Sequence, residues 1–127
     1  MESFIKTVRI SETGEEQLNA LKRTTKITQW NILCRWALCR SLAEPSIPSS
    51  TTIKADDKTK IEIAWDTFGG EIADILLIAV KQRCYQDGLN LDKDTLRKQF
   101  NLHLHRGISY LASDDIDSIE KLVQLAQ

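Results

Sequence analysis

The side chains of this sequence that stand out for acid–base, nucleophilic or metal chemistry are few: two histidines, three cysteines and two aspartate pairs. His103 and His105 lie two positions apart, a helical rotation of roughly 200°, so they face opposite sides and cannot share a metal. Cys34 and Cys39, five apart, also make a poor helical chelate, and the chain holds no Cys-x-x-Cys pair. Cys84 lies in an apolar stretch, where packing is a simpler role than nucleophilic attack. All three cysteines read as small core residues, and an odd number without a secretory leader argues against a disulfide framework. Asp56-Asp57 and Asp114-Asp115 fall at a loop and a helix start, where acids solvate and cap. Gly69-Gly70 is too short for a phosphate-cradling loop and reads as a tight turn. These residues indicate no catalytic centre, no metal and no cofactor.

Positive charge is the remaining chemistry. The net charge of −1 hides a division. Between Leu18 and Ala43 stand five bases, Lys22, Arg23, Lys26, Arg35 and Arg40, and no acid. Residues 113–127 hold Asp114, Asp115, Asp117 and Glu120 against Lys121. Such a chain can attract DNA through one face while its total charge stays near zero. Lys22 and Lys26 are four apart and share a helix face if the first helix continues that far, with Arg23 beside them. The Thr24–Thr28 corner then leads into a helix N-terminus, where hydroxyls, a lysine and unpaired amides suit a phosphate. Lys54, Lys58 and Lys60 are further candidates from a flexible segment. A solvated helix face accounts for the lysines equally well. Trp30 and Trp36 can stack on bases, but packing in a core this short of aromatics is much the commoner role.

The elements that must position these residues follow from periodicity and capping. Ile5–Ile10 alternates like a short strand. Ser11 is a natural N-cap for a helix over about Glu12–Thr24, with Glu15 and Glu16 at its positive end. Thr28 caps a second helix, about Gln29–Ala43, stopped by Pro45. A flexible surface loop spans about 45–58. Ile61, Ile63 and Trp65 mark a half-buried strand, and Gly69-Gly70 opens an apolar helix, about Glu71–Gln86, closed by Gly88. Asp92 caps a helix over about Lys93–Ala112, with Leu91 and Leu96 at staple spacing. An acidic helix follows over about 114–126. The two apolar helices, Glu71–Gln86 and Lys93–Ala112, are expected to pack centrally. The fold class is therefore mainly α, four to five helices with one or two short strands, in a single domain over residues 1–127. The longest apolar run, Ile75–Val80, is far too short to span a bilayer, and the first residues lack a signal peptide's pattern. A cytoplasmic protein is expected.

Strand, helix and helix around a basic turn is also the outline of a ribbon-helix-helix regulator, in which paired strands read the major groove. Lys6 and Arg9 would fall on opposite strand faces, which weakens that reading.

Three longer runs, Leu21–Ser46 (LKRTTKITQWNILCRWALCRSLAEPS), Thr67–Cys84 (TFGGEIADILLIAVKQRC) and Phe100–Ala112 (FNLHLHRGISYLA), resemble the DndE family. The resemblance extends from about Val8 to Ala112, with WNILCRWA, FGGE and LHLHRG its most distinctive strings. That family belongs to the bacterial DNA phosphorothioation system, which replaces a non-bridging backbone oxygen with sulfur. The resemblance implies a non-catalytic DNA-binding component associated with nicked duplex and with homo-oligomers, tetramers. It implies partners too: a sulfur-transfer component and an SMC-like ATPase. An adaptor that assembles this machinery without touching DNA is the alternative. A hidden nuclease or sulfur-transfer activity, centred on Cys84 or His103, ranks last.

Overall fold

The computed structural model describes residues 2–113. The expected acidic helix over 114–126 lies outside them. Among the described residues five α-helical segments and two strands form one mainly α structure.

The strand β1 (Thr7–Ser11) buries Val8 and Ile10 and exposes Arg9, the alternation its sequence carries. It ends at Ser11, whose hydroxyl accepts the Gly14 N–H at 3.1 Å and so starts α1 (Glu12–Thr25). Leu18 and Leu21 hold α1 against the core. The helix α2 (Trp30–Leu42) carries Leu33, Cys34, Ala37 and Leu38 on its buried side. Thr28 is not its cap: Gln29 occupies that position and makes no side-chain capping bond. The corner is set earlier instead. The Thr25 hydroxyl donates to the Leu21 carbonyl and accepts the Ile27 N–H, while Lys26 takes a left-handed conformation.

The segment after α2 is exposed for much of its length, yet Pro48 is buried and the Ser46 carbonyl is held by two arginines. It leads to β2 (Thr59–Ala64), which pairs antiparallel with β1, Thr7 opposite Ala64 and Ile10 opposite Ile61. Because β1 pairs within its own chain, the ribbon-helix-helix reading loses its intermolecular ribbon. Trp65 does not continue the strand. It begins α3 (Trp65–Gly69) because its ring is drawn into a cluster with Phe68 and Phe100, centroids 5.6 and 5.7 Å away. A single 3₁₀ turn, Gly70–Ile72, then delays the apolar helix, so α4 runs Ala73–Gln86 rather than from Glu71. Gly88, at φ 73°, ends it as expected.

The last described helix, α5 (Lys93–Ser113), starts on Asp92, whose carboxylate accepts the Thr95 N–H at 3.1 Å. It is central as expected, packing along α2 and touching α1, α4 and β1. Gly107 makes the closest approach possible: a Cβ there would stand 1.7 Å from the Ala37 carbonyl oxygen. The other helix expected at the centre is peripheral. Only one side of α4 (Leu76, Leu77, Val80, Cys84) is buried, while Ile75, Ile78 and Tyr85 are exposed. No helix among the described residues is long and apolar enough to cross a membrane.

Candidate nucleic-acid interface

The basic corner between α1 and α2 is built on an unusual helix end. Lys26 sits at φ 65°, ψ 8°, and its N–H closes onto the Lys22 carbonyl at 3.0 Å. A left-handed residue at this place is ordinarily glycine, and a side chain there costs about 1–2 kcal/mol. The exposed Lys26 therefore stands in a conformation that its own Cβ opposes. One turn back, the Lys22 ammonium lies 4.2 Å from the centroid of the half-buried Trp30 ring. That cation–π contact holds the charge above α2's first turn and uses the indole face on which a base would otherwise stack. Arg23 beside it is exposed. The first turn of α2 contains no acid and its N-cap provides no side-chain bond. Orphan amides, a fixed lysine, a strained lysine and an arginine thus share one corner, a combination suited to phosphate oxygens.

The other sequence-derived candidates lie elsewhere. Arg35 is half-buried, with Nη1 3.5 Å from the Gly69 carbonyl, where it braces α2 against α3. Arg40 lies 4.8 Å over the Tyr110 ring and 3.6 Å from Glu44. Lys54, Lys58 and Lys60 are exposed. The Lys58 carbonyl accepts the Glu12 N–H and the Asp57 carboxylate accepts the Thr13 N–H, so this segment sits at the start of α1. The lysine corner is at its other end, about 20 Å along a helix of this length. Only Lys22, Arg23 and Lys26 are brought together with α2's N-terminus.

Sequence reasoning missed the densest polar assembly, a buried network beneath the end of α2. Arg106 donates from Nε to the Ser41 hydroxyl at 2.8 Å, from Nη2 to the Ser41 carbonyl at 2.9 Å and from Nη1 to the Ser46 carbonyl at 2.9 Å. Arg83 joins the Leu42 and Ser46 carbonyls and pairs with Asp87 at 3.0 Å. These two guanidiniums gather carbonyls from the end of α2 and from the segment that follows it. The Ser41 hydroxyl, which accepts from Arg106, also shares a hydrogen bond of 2.8 Å with His103 Nδ1. Burial first, then Arg106 and Arg83, push the His103 pKa down to about 4. Ser41 and His103 have the spacing of a nucleophile and its base, but both are fully buried and no substrate reaches them. The network positions the end of α2; it is not a reaction centre.

The cysteines divide. Cys34 and Cys84 are buried as expected, and burial pushes the Cys34 thiol up to about 12. Cys39 is exposed, contrary to a core role, because it falls on the outer side of α2. His105 turns away from His103, accepting the Ser11 N–H at Nε2 and donating from Nδ1 to the Asn101 carbonyl. Among the described residues no group of three or more His, Cys, Asp or Glu side chains is placed to hold a metal ion.

The model of the family described as DNA sulphur modification protein DndE matches residues 7–118. The fold is similar to the crystal structure of DndE from Escherichia coli B7A, involved in DNA phosphorothioation modification. That likeness has a TM-score of 0.65 at 28% identity and covers 84% of this chain and 96% of that one. It is also similar to the crystal structure of a DndE double glycine-to-lysine mutant involved in DNA phosphorothioation. There the TM-score is 0.64 at 25% identity, over 86% of this chain and 98% of that one. No curated protein matches the chain.

Proposed function

The chain belongs to the DndE family of DNA sulphur modification proteins, and on that premise we propose that it is the non-catalytic, DNA-binding component of the phosphorothioation machinery. It holds nicked duplex DNA in the cytoplasm while a sulfur-transfer component and an SMC-like ATPase act on the backbone. The observation that carries this reading is Lys26. A lysine in left-handed backbone conformation gains nothing for the fold, but it places an exposed cation beside Lys22, Arg23 and the free amides of α2. Arg35, Arg40, Lys54, Lys58 and Lys60 contribute further positive charge from separate places. We also propose a homo-oligomer, of tetramer order. Its support is the outer face of α4, where Ile75, Ile78 and Tyr85 are 64%, 51% and 70% exposed. The same face favours a second reading, an adaptor that docks partner proteins without touching DNA.

The test is a fluorescence anisotropy titration against intact duplex, nicked duplex and single strand at two salt concentrations. Wild type should bind the nicked duplex best and lose affinity as salt rises. Lys22→Glu/Lys26→Glu should lose at least tenfold in affinity. Lys26→Gly is the control for folding: it relieves the backbone strain, raises stability by about 1 kcal/mol, and still weakens binding. Absence of binding to all three DNAs sinks the proposal and leaves the adaptor in front.

A further inference from the structure

A groove of about 500 Å³ runs between β1 and α5 and shares no residue with the corner described above. Lys6 and Arg9 line it from the strand side, and Arg97 and Lys98 from the first half of α5. Buried Val8 and Phe100 also line it, and no carboxylate does. Lys6 and Lys98 are exposed and have no ion-pair partner among the described residues. Arg9 meets Glu62 at 3.5 Å and Arg97 meets Asp94 at 3.1 Å, but these pairs are solvent-exposed. Exposed pairs of this kind exchange readily for another anion, being worth about 0–1 kcal/mol. Arg97 is also aimed by its backbone neighbour: its Nε donates to the Phe4 carbonyl at 2.7 Å.

On strand alternation alone, Lys6 and Arg9 diverge. They converge here because the groove follows the edge of β1 rather than a face. The Lys6 carbonyl accepts from Trp65, so Val8 and Ile10 turn their main chain toward β2. Thr7 and Arg9 turn theirs to the other edge, as Ser11 does when its N–H reaches His105 on α5. Two further amide donors are thereby directed at the groove.

We propose that this groove is a second nucleic-acid site, taking the sugar–phosphate backbone of one DNA strand. The cations and edge amides meet phosphate oxygens, while Val8 and Phe100, buried beneath them, form the floor of the groove. A free phosphate would leave most of a groove of about 500 Å³, with cations on both walls, unfilled. The inference rests on the DNA-binding reading above and adds a contact on different elements. With β1 and α5 at one site and α1 and α2 at the other, the protein grips the backbone twice, which suits a duplex whose two sides of a break must be held together.

The experiment is a salt series of anisotropy titrations with the full chain and a nicked duplex. Wild type is compared with Lys6→Glu/Lys98→Glu, Lys6→Gln/Lys98→Gln and Lys22→Glu/Lys26→Glu. The groove variants should bind at least tenfold more weakly at low salt. Their log K against log salt slopes should be shallower by about 1.8, two phosphates at roughly 0.9 each. The glutamine pair adds no repulsive charge, and both lysines are exposed, so circular dichroism should match wild type. If the corner variant loses affinity while both groove variants keep wild-type affinity and slope, the groove inference falls and the DNA-binding reading stands. If wild type binds no DNA, both fall.

Discussion

His103 is a neutral base enclosed at the centre of the molecule, with Ser41 at Nδ1 and no partner for Nε2. Burial, the largest cause, and the nearby Arg106 and Arg83 hold its pKa at about 4, below the usual 6.5. The unfolded chain therefore binds a proton between those values that the folded chain does not. Stability is fully present above about pH 6.5 and declines as pH falls toward 4, by of the order of 3 kcal/mol at most. His105, also lowered by burial, acts in the same direction. Urea denaturation at pH 7.5, 6, 5 and 4 should show this slope. His103→Asn, which keeps a hydrogen-bonding partner for Ser41 but cannot titrate, should flatten part of it; an unchanged slope would mean that other groups dominate. None of this could be read from the sequence, because Ser41 stands 62 positions from His103 and 65 from Arg106. Ser11, Gly88 and Asp92 were legible because capping acts within three or four residues.

Among the elements, α2 and α5 carry the strictest geometric demand. Gly107 lies against the Ala37 main chain, and a methyl group in its place would overlap the carbonyl oxygen at 1.7 Å and its carbon at 2.4 Å. Neither atom belongs to a flexible side chain, so the helices must separate. Gly107→Ala should lower stability by about 3 kcal/mol and the melting temperature by about 10 °C, as calorimetry can measure. A change under about 1 kcal/mol would show that the helices slide apart freely. Periodicity located α5 correctly and gave its central place. It misjudged α4, because apolar content does not say which face is covered: Leu76, Leu77 and Val80 meet the core while Ile75 and Ile78 meet solvent. It also extended the second strand through Trp65, where the ring's contacts with Phe68 and Phe100 override alternation. At the candidate site the cluster of bases was visible in the sequence but its geometry was not: α1 stops at Thr25 and Lys26 turns left-handed, so the lysines are not two positions on one helix face. The dispersal of Arg35, Arg40, Lys54, Lys58 and Lys60 was not visible either, since it depends on how α1, α2 and β2 are placed in space.

At the scale of the whole molecule, a chain with net charge −1 must concentrate its cations to hold a polyanion, and assembly is the direct means. The exposed stripe of Ile75, Ile78 and Tyr85 lies on one side of α4, three and seven positions apart, as a helix interface requires. If copies meet through it, each assembly presents the Lys22–Lys26 corner several times to one duplex. The second contact then forms at the high effective concentration set by the first. Ile75→Glu/Ile78→Glu should therefore convert the oligomer to monomers in sedimentation velocity, with helical content unchanged because both side chains already face solvent. The same variant should bind DNA more weakly, by about tenfold or more, although no cation has been removed. Its salt slope should fall as well, since fewer phosphates are engaged per complex. Monomers that keep wild-type affinity would show that a single copy carries the whole interface. A wild type that already sediments as a monomer would show that the α4 face serves a different protein partner.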